Sequence, residues 1–121
     1  RERFREVYGI VLEAQKRAIA GIRPGVTGFD IDKLARDHIA SKGYGDHFGH
    51  GLGHSLGLDI HEMPAFSLKC NDTIKAGMVL TVEPGIYLPG WGGVRIEDVY
   101  RVDDVPERLT ATPNDLLELP A

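Results

Sequence analysis

Apolar residues in the first 22 positions recur every three or four residues, which is the spacing of one face of an α-helix. The positions on this stripe are Phe4, Val7, Tyr8, Val11, Leu12, Ala14, Ala18 and Ile22. Arg23-Pro24-Gly25 follows, and proline cannot continue a helix while glycine accepts a turn. The pattern therefore predicts a long amphipathic helix at the start of the chain.

A second, shorter helix is predicted after Gly28-Phe29. Asp30 is the predicted N-cap, and Gly43 stands where a glycine commonly follows a helix C-terminus. The apolar positions predicted to face inward are Ile31, Leu34, Ala35 and Ile39. This helix would pack beside the first.

The rest of the chain favours extended structure. Residues 43–57 hold six of the fifteen glycines, a density that argues against helix and for extended backbone with bulges or close approaches. Strands are predicted at 78–83, where Pro84-Gly85 stops the first, at 86–88 and at 94–102, with one more short strand and a helical turn in 109–119. Helices followed by strands predict an α+β domain spanning 1–121, with two N-terminal helices on one face of a mostly antiparallel sheet.

Composition and charge exclude several classes of protein. Over 121 residues the net charge is −4, which argues against nucleic acid as a partner because phosphate binding needs a basic surface. No apolar run exceeds three residues, so no membrane-spanning helix is predicted and no membrane partner is expected. Cys70 is the single cysteine and has no internal disulfide partner, which favours a cytoplasmic location.

Histidine and glutamate residues in the second half of the chain are the candidates for chemistry. His50 and His54 have an even spacing that places both side chains on one face of a strand. Glu83 ends an apolar strand, and Glu97 shares a strand face with Arg95. Imidazole and carboxylate together suit zinc, manganese, cobalt or iron. The alternative is structural: two polar loop histidines, Glu83 capping a turn, and Glu97 paired with Arg95 on a solvated face.

Four motifs, in this order along the chain, resemble the pita-bread metallopeptidases, most closely the Xaa-Pro peptidase branch of aminopeptidase P and prolidase. The motifs are His50-Gly51-Leu52-Gly53-His54, Leu58-Asp59-Ile60-His61-Glu62, Val82-Glu83-Pro84-Gly85-Ile86-Tyr87 and Arg95-Ile96-Glu97-Asp98. The resemblance covers essentially all of the chain. It implies hydrolysis of the bond between an N-terminal residue and proline by a metal-activated water, on a peptide substrate with proline at the second position.

The resemblance also implies a role for each matching residue. His54 would be a metal ligand, Glu83 would bind the same metal and relay a proton, and Glu97 would bridge two metals. Arg95 would orient these carboxylates. The parent enzyme would hold two divalent ions, with Mn²⁺ or Co²⁺ favoured over Zn²⁺ or Fe²⁺.

Two further histidines would act on the substrate rather than bind metal. His50 and His61 would hold the peptide and stabilise the tetrahedral intermediate, which makes them catalytic residues together with Glu83. These roles are carried over from the resemblance.

One part of the family pattern has no match in this chain. The dinuclear site also needs two aspartates from the preceding half of the catalytic domain, and Asp30 and Asp32 lie in the second predicted helix instead. The chain therefore resembles the C-terminal half of the pita-bread fold without its N-terminal half. We expect this fragment to hold at most one metal, to be inactive alone and to self-associate through the surface that the missing half would cover.

Two other functions remain open at this point. A pita-bread fold can serve as a binding module without catalysis, although His50, His54, His61, Glu83 and Glu97 are all retained. A methionine aminopeptidase or a creatinase-type hydrolase is the alternative within the enzymes.

Overall fold

The computed structural model describes residues 2–56 and 65–110 and contains two helices packed on antiparallel strands. The helices are α1 (Glu2–Gly21) and α2 (Gly28–Ser41), and a single 3₁₀ turn follows at Gly45–His47. The strands are β1 (Val79–Val82), β2 (Gly85–Leu88), β3 (Gly92–Arg95), β4 (Asp98–Arg101) and β5 (Glu107–Arg108). Neither helix is both long and apolar enough to cross a membrane, as judged on the described residues. The predicted α+β class is confirmed.

The strands form two small antiparallel sheets. One has the order β1-β4-β5 and the other pairs β2 with β3. Isolated bridges join Ser55 to Leu80 and Gly53 to Phe66, so the glycine-rich segment runs in extended form beside β1. This arrangement confirms the extended backbone predicted there, although the 3₁₀ turn at Gly45–His47 interrupts it.

The core lies between the helices and the sheets. Fully buried apolar side chains come from both helices, from the glycine-rich segment and from the strands, and they include Val11, Ile31, Leu52, Leu80 and Ile86. The helix α1 stripe is buried as predicted at Val7, Val11, Ala14, Ala18 and Ile22, while Phe4, Tyr8 and Leu12 are partly buried. The apolar pattern did not predict burial of Ile10 and Gln15, which are also buried.

Two details of α2 differ from the prediction. The N-cap is Thr27, whose side chain accepts a hydrogen bond from the Asp30 backbone N–H at 3.1 Å. Asp30 lies three residues further on and accepts in return from the Thr27 N–H, which forms a capping box. Leu34 was predicted to face inward but is 42% exposed, whereas Ile31, Ala35 and Ile39 are buried as predicted. Gly43 follows the C-cap Lys42 with φ +89°, as predicted.

The predicted strand 94–102 is two strands. β3 ends at Arg95 and β4 begins at Asp98, so Ile96 and Glu97 lie between them. Opposite this break stands Pro84, which has no N–H to donate and so cannot maintain a regular ladder. Its carbonyl still accepts the Ile96 N–H at 3.2 Å. β5 is a short strand that directly precedes the range 109–119, and residues 111–119 of the strand and helical turn predicted there lie outside the described residues.

A buried carboxylate ties α1 to the sheet. Asp98, at the start of β4, is 0% exposed and accepts hydrogen bonds from Gln15 Nε2 at 3.0 Å and from the Arg108 guanidinium at 3.0 and 3.2 Å. The Thr110 hydroxyl donates to the same carboxylate. Gln15 Nε2 also reaches the Val82 carbonyl at 3.3 Å. A buried charge is tolerated when it is paired and hydrogen-bonded in this way, and burial together with the Asp98 charge raises the pKa of Tyr100.

Candidate metal centre

Glu83 and Glu97 stand opposite each other at the break between the two sheets. Val82 pairs with Asp98 in β1–β4, and Gly85 pairs with Arg95 in β2–β3. Continuing either ladder places Glu83 opposite Glu97, so both pairings share one register. Directly opposed residues of an antiparallel pair project from the same face. Each glutamate was predicted within a strand, but Glu83 lies between β1 and β2 and Glu97 lies between β3 and β4.

His54 reaches the same place from the glycine-rich segment. The Thr81 N–H donates to the His54 carbonyl at 2.8 Å, and the His54 N–H donates to Thr81 Oγ1 at 2.9 Å. The Glu83 N–H donates to the Leu52 carbonyl at 2.7 Å, which continues this pairing. These bonds bring His54 Nε2 to 3.7 Å from Glu83 Oε2.

Gly53 is required for this approach of the two backbones. A Cβ at position 53 would lie 1.8 Å from the Thr81 carbonyl oxygen. Only glycine lets the segment that carries His54 lie against β1 at this distance.

The Glu83 carboxylate is the unusual group of the site. Its side chain is 14% exposed, and its Oε2 atom is buried without a hydrogen bond to any described residue. Leaving a buried carboxylate oxygen unpaired is costly, roughly 1–3 kcal/mol or more for a charged group. A cation beside this oxygen would remove that cost. A divalent metal fits the arrangement, because imidazole nitrogen and carboxylate oxygen are its common ligands.

The imidazole of His54 is suited to bind such an ion. Its Nδ1 lies 3.2 Å from the Ser55 carbonyl oxygen, which can only accept, so we assign the ring proton to Nδ1. The lone pair of Nε2 then faces Glu83. A hydrogen bond at one ring nitrogen commonly orients the other nitrogen toward a metal.

Glu97 and Arg95 are about half exposed, as is His54 (59%), so Glu83 is the least exposed of these four residues. Glu97 Oε1 lies 4.0 Å from Arg95 Nη2, and both side chains are about half exposed (46% and 51%). Arg95 therefore lies beside one of the two carboxylates it was predicted to orient. In residues 2–56 and 65–110, no three His, Cys, Asp or Glu side chains are grouped closely enough to hold a metal ion. The structure thus brings His54 and Glu83 together and places Glu97 opposite Glu83 in the antiparallel register.

His50 takes part in a separate set of contacts. Its Nε2 lies 2.7 Å from the Tyr87 hydroxyl, and its Nδ1 lies 2.6 Å from the Gly51 carbonyl oxygen. With the proton on Nδ1, Nε2 accepts from the hydroxyl, so both ring nitrogens are engaged. His61, the other predicted substrate-binding histidine, lies outside the described residues.

Tyr87 is a site residue that the sequence reading did not single out. It lies in β2, four residues after Glu83, and its ring contacts the ring of His50 at a centroid distance of 5.4 Å. The signal available was its position within the same short motif as Glu83, on the strand predicted directly after Pro84-Gly85.

Comparison with known proteins places this geometry in a family. The sequence profile of metallopeptidase family M24 matches residues 1–104. The Xaa-Pro dipeptidase of Pyrococcus furiosus is 51% identical over 117 residues, which are 96% of this chain and 34% of that protein. The uncharacterized peptidase YqhT of Bacillus subtilis is 48% identical over 119 residues, or 98% of this chain and 34% of that protein.

Solved structures agree with these relatives. The Xaa-Pro dipeptidase from Bacillus anthracis superimposes with a TM-score of 0.93 at 48% identity, covering 98% of this chain and 34% of that one. The X-Pro aminopeptidase from Thermotoga maritima superimposes with a TM-score of 0.89 at 46% identity, covering 95% of this chain and 33% of that one.

The sequence relatives and the solved structures each match nearly all of this chain. The chain spans about a third of the length of the curated relatives it matches. Its helices and antiparallel sheets correspond to a fragment of the pita-bread fold. The chain belongs to metallopeptidase family M24.

Proposed function

We propose that the full-length protein is a metal-dependent peptidase that hydrolyses the bond between an N-terminal residue and a following proline. The observation that carries this proposal is the buried Glu83 oxygen, which has no hydrogen-bond partner among the described residues and faces His54 Nε2 at 3.7 Å. Relatives at 47–51% identity that bear the name Xaa-Pro dipeptidase support the choice of substrate.

The residues of the candidate site would bind metal and transfer a proton. His54 and Glu83 would hold one divalent ion, and Glu97 would bridge it to a second. When bound, such ions polarise the scissile carbonyl and lower the pKa of water. Glu83 would accept the proton of the attacking water on its carboxylate and pass it to the departing proline nitrogen.

His50 and His61 would contact the substrate instead of the metal. In the structure, Gly51 and Tyr87 fix the ring of His50 through both of its nitrogens. Contact with the substrate would replace one of these two bonds, and the other would keep the ring oriented, which is how a positioned group contributes to a rate. We propose that the Tyr87 hydroxyl sets this orientation.

The isolated chain would be inactive, because two further ligands would come from the part of the protein that the relatives have and this chain does not match. We propose that Mn²⁺ or Co²⁺ is the ion, that the chain alone holds at most one, and that the enzyme acts in the cytoplasm. Exposed apolar side chains are available for self-association of the isolated chain: Leu34, Leu56, Leu68, Trp91, Val105 and Leu109.

The test is a peptidase assay on the full-length protein with Xaa-Pro and Met-Ala peptides side by side. We expect hydrolysis of Xaa-Pro peptides with Mn²⁺, loss of activity on chelation, and at least about a 100-fold lower kcat for Glu83→Gln. Glu13→Gln, an exposed change in α1, is the control. A preference for Met-Ala peptides would favour a methionine aminopeptidase, and metal binding without hydrolysis would favour a binding module; either result contradicts the proposal.

A further inference from the structure

A buried ion pair in α2 lies behind the segment that carries His50 and His54. Asp32 is 0% exposed, and its two oxygens accept from Arg36 Nε at 2.7 Å and Arg36 Nη2 at 3.2 Å. The pair has the fork geometry that makes arginine–carboxylate contacts strong and directional. Its side chains come from one turn of α2, so the helix itself fixes their relative position.

Arg36 uses two further donors on the glycine-rich segment. Nη1 donates to the Phe48 carbonyl at 2.9 Å, and Nη2 donates to the His50 carbonyl at 2.9 Å. The guanidinium also lies 4.3 Å from the centre of the Phe48 ring. A segment rich in glycine has no conformational preference of its own, so these contacts define its path.

Asp32 connects the helix to the candidate metal ligands. Its Oδ2 accepts the Leu52 N–H at 3.0 Å, and the Leu52 carbonyl in turn accepts the Glu83 N–H at 2.7 Å. Leu52 is 0% exposed, so both bonds lie inside the protein. A continuous chain of hydrogen bonds therefore runs from the Asp32 carboxylate through Leu52 to the backbone of Glu83.

The same helix carries an ion pair of the same spacing with none of these connections. Lys33 Nζ lies 2.6 Å from Asp37 Oδ2, and these residues are also separated by one helical turn. Their side chains are 53% and 62% exposed. This pair is a matched reference, because it differs from Asp32–Arg36 in burial and in contacts to the segment.

We propose that Asp32 and Arg36 are positioning residues that hold residues 48–52 so that His54 and Glu83 meet. Neither residue touches the metal or the substrate in this account. The inference rests on the proposed function for its purpose, but the backbone contacts that it assigns can be measured without metal or substrate.

The test is amide hydrogen exchange on the 121-residue chain, comparing Asp32→Asn, Arg36→Lys and the control Asp37→Asn with the wild type. In Asp32→Asn an NH2 group replaces one of the two oxygens, so it must face either the Nε–H of Arg36 or the N–H of Leu52, donor against donor. We expect exchange at Leu52 and Glu83 to rise about 10-fold or more, while exchange at Val102, which donates to Met78 in the β1–β4 sheet, stays within about 2-fold. Arg36→Lys keeps the positive charge but cannot form the two parallel hydrogen bonds to Asp32. It is the variant to measure if Asp32→Asn does not fold.

A Mn²⁺ titration of the same proteins separates this inference from the proposed function. We expect Asp32→Asn to weaken binding about 10-fold or more, as for other groups that support metal ligands, and Asp37→Asn to leave it unchanged. Unaltered exchange at Leu52 and Glu83, or an equal rise at Val102, would overturn the positioning role. Absence of Mn²⁺ binding in the wild type would count against the proposed metal site at His54 and Glu83 in this chain, and the exchange result would still decide the inference.

Discussion

Replacing Gly53 with alanine is a sharp test of how the candidate site is built. The new Cβ would lie 1.8 Å from the Thr81 carbonyl oxygen and 2.9 Å from Thr81 Oγ1, whereas ordinary contacts begin at about 3.4 Å. The first of these atoms belongs to the backbone of β1 and cannot rotate away. The segment that carries His54 must therefore move off the strand.

The size of the effect follows from the contacts that this movement breaks. Overpacking a tight contact costs roughly 1–3 kcal/mol. Separation of the segments also stretches the bonds from Thr81 N–H to the His54 carbonyl and from Glu83 N–H to the Leu52 carbonyl, now 2.8 and 2.7 Å long. At about 0.5–1.5 kcal/mol each, these bring the loss to about 2–6 kcal/mol in the free energy of unfolding.

Denaturant unfolding of the 121-residue chain measures this loss. Gly49→Ala is the control, because among the described residues no heavy atom apart from those of its chain neighbours lies within 4 Å of a Cβ at that position. We expect it to change the free energy of unfolding by less than about 1 kcal/mol. If Gly53→Ala and Gly49→Ala were equally stable, the close approach of the His54 segment to β1 would be wrong.

Two further predictions concern buried polar groups. Asp98→Ala should lower the free energy of unfolding by about 2–4 kcal/mol, because the guanidinium of Arg108, itself about one-third exposed, loses its buried partner. Glu107→Ala, which breaks an exposed pair, should cost at most about 1 kcal/mol, and equal losses in the two variants would contradict this ranking. His38 is 7% exposed, and burial, followed by the charge of Arg17, lowers its pKa below 6.5. As the pH falls, the unfolded chain therefore binds this proton before the folded chain does, so the free energy of unfolding should decrease below about pH 6.5. Denaturant unfolding at pH 7.5 and 5.5 should show a smaller decrease for His38→Gln than for the wild type. An equal decrease in the two proteins would refute the lowered pKa of His38.

Local sequence signals predicted the helices and the position of the turns well. The apolar stripe of α1 and the glycine after α2 are found as expected, because each depends on neighbours in the chain. The N-cap was placed at Asp30 instead of Thr27 because both residue types cap helices, and the capping box uses the two together. The local sequence indicates that a helix begins here but not that Thr27 is its cap.

Features that depend on distant parts of the chain were not predictable in the same way. Asp32 and Asp98 are fully buried, although aspartate is normally a surface residue. Their partners at Leu52, Gln15 and Arg108 are 10 to 83 residues away in the sequence. Asp98 does fall on the inward alternation of its strand, and that was the one available signal.

The candidate site also combines features that local sequence predicts with features that depend on distant contacts. Sequence motifs predicted that the two glutamates lie on neighbouring strands, and the shared register places them opposite each other. The hydrogen bond between His50 and Tyr87 and the unpaired oxygen of Glu83 depend on the packing of β2 and the glycine-rich segment, so only the structure reveals them.

The most direct test of the central claim is a calorimetric titration of the 121-residue chain with Mn²⁺, run beside Glu97→Ala and the exposed control Glu107→Ala. We expect saturable binding of one ion in the wild type and the control, and loss of that binding in Glu97→Ala. Absence of saturable binding in the wild type, or equal binding in Glu97→Ala, would contradict a metal site that uses His54, Glu83 and Glu97 of this chain.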